Sequence, residues 1–272
     1  MILVTGANGN LASAALAALR ARGAAATGGS RTPGAGTRRL DFDDPAGIDF
    51  AGVSTLLLVS AGYAEDDQVV RRHAAALDAA VRDGVRHVVY TSLTAAGDHL
   101  GFALAHRATE RLLRACGLPW TILRNGLYAE LFGGLLMWAG EGVESPFGDG
   151  ALAAVVRADL AEAAAVVAAE AERHTGRTYE LTGTPVTAAS VADRLGVPHR
   201  TIGLAEYRRR LAGMPELLPF QPPMLASIAT GVRHGFLDGI GADLAGLLGR
   251  PARDPLAAAV ASASAARPVA AR

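Results

Sequence analysis

The first 22 residues constrain this chain more than any other part of it. An apolar segment, Met1-Ile2-Leu3-Val4, runs through Thr5-Gly6-Ala7-Asn8-Gly9-Asn10-Leu11-Ala12 into a helical stretch that reaches about Arg22. Gly6 allows a tight turn, Gly9 lets the backbone approach a diphosphate, and Ala12 lets the helix pack closely on the strand. The start of such a helix presents unpaired N–H groups and a partial positive charge, which suit an anion. In a chain with 32 glycines the spacing alone says little. Its position between a strand and a helix is what predicts dinucleotide binding, with Gly6, Asn8, Gly9, Asn10 and Leu11 as the contacts and Asn8 and Asn10 as added side-chain donors.

The same alternation continues. Ala24–Gly28 reads as a second strand, 38–42 as a third, 45–51 as a short helix or turn, and Thr55–Val59 as a strand buried on both faces. A helix over 66–82 carries Val69, Val70, His73, Leu77, Ala80 and Val81 on one side. Strand 87–91, helix 101–116 and strand 120–124 follow. Strands separated by helices at this spacing predict an α/β fold, a Rossmann-type doubly wound parallel sheet over residues 1–125. Beyond Asn125 the rhythm changes to glycine turns and shorter pieces: a helix over 159–172, a strand over 178–182, a helix over 188–195, and helices with breaks over 204–249. The expectation is a smaller α+β substrate lobe over 126–260, with about 151–183 returning to the first lobe. A disordered tail is expected over 261–272.

Composition excludes several classes. The 26 basic groups balance 26 acidic ones, so nothing electrostatic points to nucleic acid or an anionic membrane. Cys116 is the only cysteine, which excludes an intramolecular disulfide framework and any multi-cysteine metal site; its thiol lacks a pKa-lowering setting and reads as buried and inert. No metal site is expected. No apolar run reaches the roughly 18 residues of a membrane span, and the N-terminus lacks the charged region of a signal peptide. A cytoplasmic protein is the expectation, as monomer or homodimer. All 26 basic residues are arginine. Without lysine there is no Schiff-base chemistry and no lysine-assisted tyrosine acid.

The end of the second strand, Thr27-Gly28-Gly29-Ser30-Arg31, has no carboxylate for a ribose 2′-hydroxyl. Ser30 and Arg31 instead suit a 2′-phosphate, so NADPH is expected over NADH; the alternative is a solvated surface arginine. Asp41 and Phe42 should lie beside the adenine. Ser60 and Ala61 should run along the cofactor toward the nicotinamide, as should Thr91.

At these residues the sequence resembles the NmrA-like branch of the atypical short-chain dehydrogenase/reductases, in particular the bacterial type-2 quinone oxidoreductases and triphenylmethane reductases. The likeness is carried by Val4–Gly9, Ser30–Pro33, Leu56–Ser60, Gly84–Ser92, His106–Glu110, Leu123–Tyr128, Val156–Asp159 and Tyr179–Gly183. Ala12 in place of the third glycine and a short segment after the second strand depart from the pattern. The resemblance implies an NADPH-binding lobe and a small C-terminal lobe closing a substrate cleft.

None of Tyr63, Tyr90, Tyr128, Tyr179 and Tyr207 can have the lysine that lowers a catalytic phenol's pKa, since the chain contains none. What remains is direct hydride delivery to an acceptor that spreads the incoming charge, such as a quinone or similar conjugated aromatic molecule. Candidate site residues each carry two readings. Ser92 contacts nicotinamide or substrate, or caps a loop. His106 donates a proton or binds the nicotinamide ribose, or packs structurally; Asn125 fixes the carboxamide or a loop; Tyr128 stacks on a flat acceptor or fills core. Glu110, His73 and His87 read as structural, and Arg208–Arg210 as a solvated helix face. A non-catalytic NADP(H) redox sensor acting through a protein partner, and a tailoring reductase of a polyketide-like aromatic, are the alternative functions.

Overall fold

The computed structural model describes residues 1–34, 36–61 and 63–268. The opening segment is β1 (Ile2–Thr5), buried along its whole length, and the helix after the glycine loop is α1 (Asn10–Ala21). There follow β2 (Ala26–Ser30), β3 (Thr37–Arg39), β4 (Thr55–Leu58), α2 (Asp66–Arg82), β5 (His87–Leu93), α3 (Ala103–Ala115) and β6 (Trp120–Asn125). Two later elements join them, α5 (Arg157–Ala169) and β10 (Arg177–Leu181). Between β6 and α5 stand α4 (Ala129–Gly134), β7 (Met137–Ala139), β8 (Gly142–Ser145) and β9 (Ala151–Ala154). The chain ends with β11 (Thr184–Thr187), α6 (Ala188–Leu195), β12 (His199–Thr201), α7 (Leu204–Ala212), α8 (Gln221–Arg233), α9 (Asp243–Leu248) and α10 (Pro255–Ala265).

The main sheet is parallel throughout, in the order β10-β6-β5-β4-β1-β2-β3. From β1 the chain winds outward to β3, then returns through β4 and proceeds the other way. The crevice between the carboxyl ends of β1 and β4 is therefore the switch point at which open sheets of this kind bind ligands. Helices α1 and α5 cover one face, burying Leu11, Ala15, Leu19, Leu160, Ala164 and Val167 over Val4, Leu57 and Val89. On the other face α2 and α3 bury Leu77, Ala80 and Leu113 over Leu3, Leu56 and Ile122. On α2, Val69, His73, Leu77 and Ala80 face inward as their spacing predicts, whereas Val70 is half-buried and Val81 is 45% exposed. The apolar stripe is narrower than the list of apolar residues.

The second unit has its own core, in which Phe132 stacks on Phe147 amid Leu152, Ile202, Tyr207 and Ile228. Its two small sheets, β12-β8-β7 and β11-β9, were invisible in the sequence because strands of three or four residues between glycines carry no period. β9 belongs here through β11, while α5, β10 and α9 pack on the first unit. Arg210 departs from the solvated face expected of Arg208–Arg210: it turns to Glu144 on β8, at 2.7 Å, and to Glu206.

The expected disordered tail is corrected over 261–265, which close α10; residues 269–272 lie outside the described ones. The Ala/Ser composition read as lack of core, but alanine is the strongest helix former and its small side chain allows close packing. Ala259 and Ala263 are fully buried, Trp138 donates its indole N–H to the Ala263 carbonyl at 2.8 Å, and Ser262 donates to the Glu130 carbonyl at 2.7 Å. Gly133 on α4 makes this approach possible, since a Cβ there would lie 2.0 Å from the Ala259 carbonyl oxygen. Gly133→Val should thus detach α10 from α4, costing about 1–3 kcal/mol. A thermal unfolding midpoint unchanged from wild type would show that α10 does not depend on this contact.

Candidate functional site

Two cavities of about 540 and 650 Å³ meet at the carboxyl edge of the main sheet and share Gly6, Gly9, Val59, Ser60 and Tyr63. Together they form one groove across the switch point. Asn8, Ser30, Arg31, Asp41, Phe42 and Ala61 line its outer half. Asn10, Leu11, Thr91, Ser92, His106, Asn125 and Tyr128 line its inner half. The residues singled out in the sequence therefore converge, but their side chains do different things once there.

Gly6 turns with φ +64°, a left-handed conformation that favours glycine. A Cβ on Gly9 would stand 3.2 Å from the Gly6 carbonyl oxygen, which already accepts the Gly9 N–H at 2.8 Å. Gly9 caps α1 without a side-chain partner, and the amides of Asn10, Leu11 and Ala12 have no acceptor among the described residues. They are the donors an anion would take. Asn8 does not add to them: its amide donates to the Thr32 carbonyl and hydroxyl, at 3.1 and 3.0 Å, and so ties the glycine loop to the end of β2. The Ser30 hydroxyl accepts the Thr32 N–H at 3.3 Å. Arg31 is exposed and makes neither a hydrogen bond nor an ion pair among the described residues. Asp41 accepts the Asp43 N–H, and Arg72, also in this wall, is held bidentately by Asp43 at 3.0 and 2.7 Å.

At the inner end, the Ser60 hydroxyl and the Asn125 carboxamide oxygen are buried without a partner. An unpaired buried polar atom is costly, so each calls for an outside partner. Thr91 instead serves the loop, its hydroxyl accepting the Ser60 N–H at 3.0 Å. The Ala61 N–H donates to His73 Nε2 at 2.9 Å, leaving Nδ1 to donate to Thr109, whose hydroxyl donates to the Ala105 carbonyl. One tautomer satisfies the chain, and burial drives the His73 pKa down to about 3.

His106 faces the groove with the Tyr90 hydroxyl 3.0 Å from its Nδ1. With the phenol donating, the imidazole hydrogen is assigned to Nε2, which has no protein partner among the described residues. Burial brings the His106 pKa to about 4 and pushes the Tyr90 and Tyr128 phenols up. Neutral at pH 7, His106 offers a hydrogen-bond donor at Nε2. Ser92 borders the same cavity, and its hydroxyl donates to Glu110 at 2.7 Å and accepts from Arg107 at 3.2 Å, inside an ion cluster. Glu110 also receives Arg107 at 2.8 Å and Arg124 at 2.9 and 2.7 Å, and Arg124 reaches Glu180 on β10. Burial acts to raise the Glu110 carboxyl, but bonds from Arg124 and Ser92 outweigh it and bring the pKa to about 2.

The sequence missed several lining residues. Phe102, Leu131, Phe220, Met224 and Ile228 make the inner end an apolar chamber, and Tyr63 meets Phe220 edge-on at 5.6 Å across its mouth. Phe220, Met224 and Ile228 recur every four residues along α8 and its cap, but a helical stripe does not say which surface it faces, and Phe102 and Leu131 come from the start of α3 and from α4. Asp66 also borders the chamber, with burial raising its carboxyl above the usual range. Among the described residues no helix is long and apolar enough to cross a membrane, and no cluster of three metal-ligating side chains occurs.

The two neutral histidines make stability pH-dependent. Their folded pKa values, about 3 and about 4, lie below the ordinary histidine value, so the unfolded chain binds more protons as pH falls below about 6.5. The stability they contribute is complete above that pH and is lost on acidification, by up to about 1.4 kcal/mol per pH unit for each ring. The urea midpoint at pH 5 should therefore lie below that at pH 7.5. Equal midpoints would contradict the neutral assignment.

No protein-family model matches the chain. Quinone oxidoreductase 2 of Escherichia coli is 33% identical over 279 aligned positions, which take in 92% of this chain and 94% of that protein. Among solved structures, the Escherichia coli NADPH-dependent quinone oxidoreductase complexed with NADPH superposes with a TM-score of 0.84 at 31% identity, covering 95% of this chain and 98% of that one. The Citrobacter sp. triphenylmethane reductase complexed with NADP(H) also gives 0.84, at 28% identity over 96% and 99% of the two chains. An NmrA mutant at 15% identity and a TM-score of 0.74 shares the fold. With its parallel sheet, glycine loop and small second unit, the chain belongs to the NmrA-like family of quinone oxidoreductase 2.

Proposed function

We infer that the chain is an NADPH-dependent oxidoreductase that passes hydride directly to a quinone or similar conjugated aromatic acceptor. The observation that carries this reading is the continuous groove, with a free guanidinium at one end and, at the other, an apolar chamber bordered by two residues whose buried polar atoms lack partners. NADP(H) fits the gaps. Unpaired amides at the start of α1 suit its diphosphate, Arg31 its 2′-phosphate, and the Asn125 oxygen and Ser60 hydroxyl the amide and hydroxyl donors of its nicotinamide half. The relatives named above, solved with NADPH or NADP(H), support the same assignment.

Bound there, the reduced nicotinamide supplies the hydride. The chain's own task is orientation and exclusion of water. Asn125 and the latched loop at Ser60–Ala61 fix the inner end of the groove, and Phe102, Leu131, Phe220, Met224 and Ile228 present flat or flexible apolar surface to an aromatic acceptor. Neither Tyr90 nor Tyr128 is poised to protonate an alkoxide, since burial raises both phenols. His106 Nε2–H supplies a hydrogen bond to an acceptor oxygen, and the proton comes from water. An acceptor that delocalises charge needs no more than this.

NADPH oxidation should be measured against a panel of quinones and enones. Turnover with at least one is expected; tight NADPH binding with no turnover would favour a non-catalytic sensor. A tailoring reductase would differ only in its preferred acceptor. Arg31→Ala should weaken NADPH by roughly 10- to 100-fold and leave NADH nearly unchanged, and equal weakening would remove the case for the 2′-phosphate. The pH profile of kcat/KM should show no step near 6.5 that disappears in His106→Asn, because His106 stays neutral down to about pH 4.

A further inference from the structure

Arg157 is the first residue of α5 and borders the inner half of the groove together with Gly9, Asn10, Leu11 and Ala12. Its backbone N–H is taken by the Glu130 carboxylate at 3.2 and 3.3 Å. Its guanidinium lies over the Tyr128 ring, 4.9 Å from the centroid, and no carboxylate or carbonyl accepts from it among the described residues. Of the other arginines near the groove, Arg72 is committed to Asp43 and Arg107 and Arg124 to Glu110, while Arg31 stands free at the outer end. A half-buried guanidinium held over an aromatic face, with its donors free, is prepared for a bidentate anion.

The fold selects which anion. Helices α1 and α5 pack side by side on the same face of the sheet, and both begin at its carboxyl edge. The unpaired amides of α1 and the guanidinium of Arg157 thus border one cavity from two elements far apart in sequence. We propose that Arg157 binds the diphosphate of the dinucleotide from the side opposite the glycine loop, with Tyr128 as the platform that orients it. This rests on the groove being a dinucleotide site. It gives Tyr128 a positioning role, since one face of its ring is already covered by Arg157, in place of the acceptor-stacking role that its sequence position suggested.

Titration calorimetry on the full chain tests it with three probes: NADPH, 2′-phospho-ADP-ribose, which keeps the diphosphate but lacks nicotinamide, and adenosine 2′-monophosphate, which lacks the diphosphate. Arg157→Gln should weaken the first two by about 10- to 100-fold and leave the third unchanged. Arg157→Lys should fall between, and Tyr128→Phe, which keeps the ring, should resemble wild type. Unchanged affinity for 2′-phospho-ADP-ribose would overturn the proposal, and a loss confined to NADPH would place Arg157 against the nicotinamide or the acceptor instead. Equal loss for all three probes would assign Arg157 to folding and overturn it as well. If wild type binds none of them, the dinucleotide reading itself falls, a result distinct from a variant that merely behaves like wild type.

Discussion

The amide hydrogens in the first turn of α1 have no acceptor within the described protein, and much of the site is arranged around that vacancy. A helix must leave its first donors unpaired, and most helices satisfy them with a side-chain cap. Here the cap is Gly9, which has no side chain to give. The left-handed turn at Gly6 and the close Gly6–Gly9 contact shape the backbone there, and no other described residue accepts from these groups. Because the sheet is parallel, α5 starts at the same edge, and the ends of β4, β5 and β6 bring Ser60, Ser92 and Asn125 there too.

Beneath that edge the polar groups divide into those that are satisfied and those that are not. Thr5 accepts the Val59 N–H at 2.9 Å, Thr91 takes Ser60, His73 takes Ala61, and Glu110 gathers Ser92, Arg107 and Arg124. A buried carboxylate is tolerable because several donors share it, and removing one partner from such a cluster costs far more than the cluster contributes relative to an apolar core. These closed networks keep the loop at the groove floor in place. Ser60 Oγ and Asn125 Oδ1 are the buried side-chain atoms left without a partner among the described residues.

How much of this could be read from residues alone depended on the range of the interaction. The glycine loop, the α2 boundaries and the strands of the first unit were legible because strand, turn and helix signals are local. Asn8, Ser92 and Thr91 line the groove, but the bonds they make to Thr32, to Glu110 and from the Ser60 amide were not legible, because those partners come from other elements. Arg157 stood in a quoted motif without a role, since only the packing of α5 on α1 brings it beside the loop. The alanine-rich end looked structureless because its partners, Gly133 together with Glu130 and Trp138, stand more than 120 residues earlier.

The edge-on meeting of Tyr63 with Phe220 has a kinetic corollary. Among the described residues it is the one aromatic pair that joins the β4–α2 connection to the second unit, and Tyr63 borders both halves of the groove. A pairing of this kind is worth only about 0.5–1.5 kcal/mol beyond its buried area, a barrier that thermal fluctuation crosses readily. An exposed ring swings between rotamers in picoseconds to nanoseconds. A ring-shaped guest passing this point therefore displaces one side chain from a contact of that size.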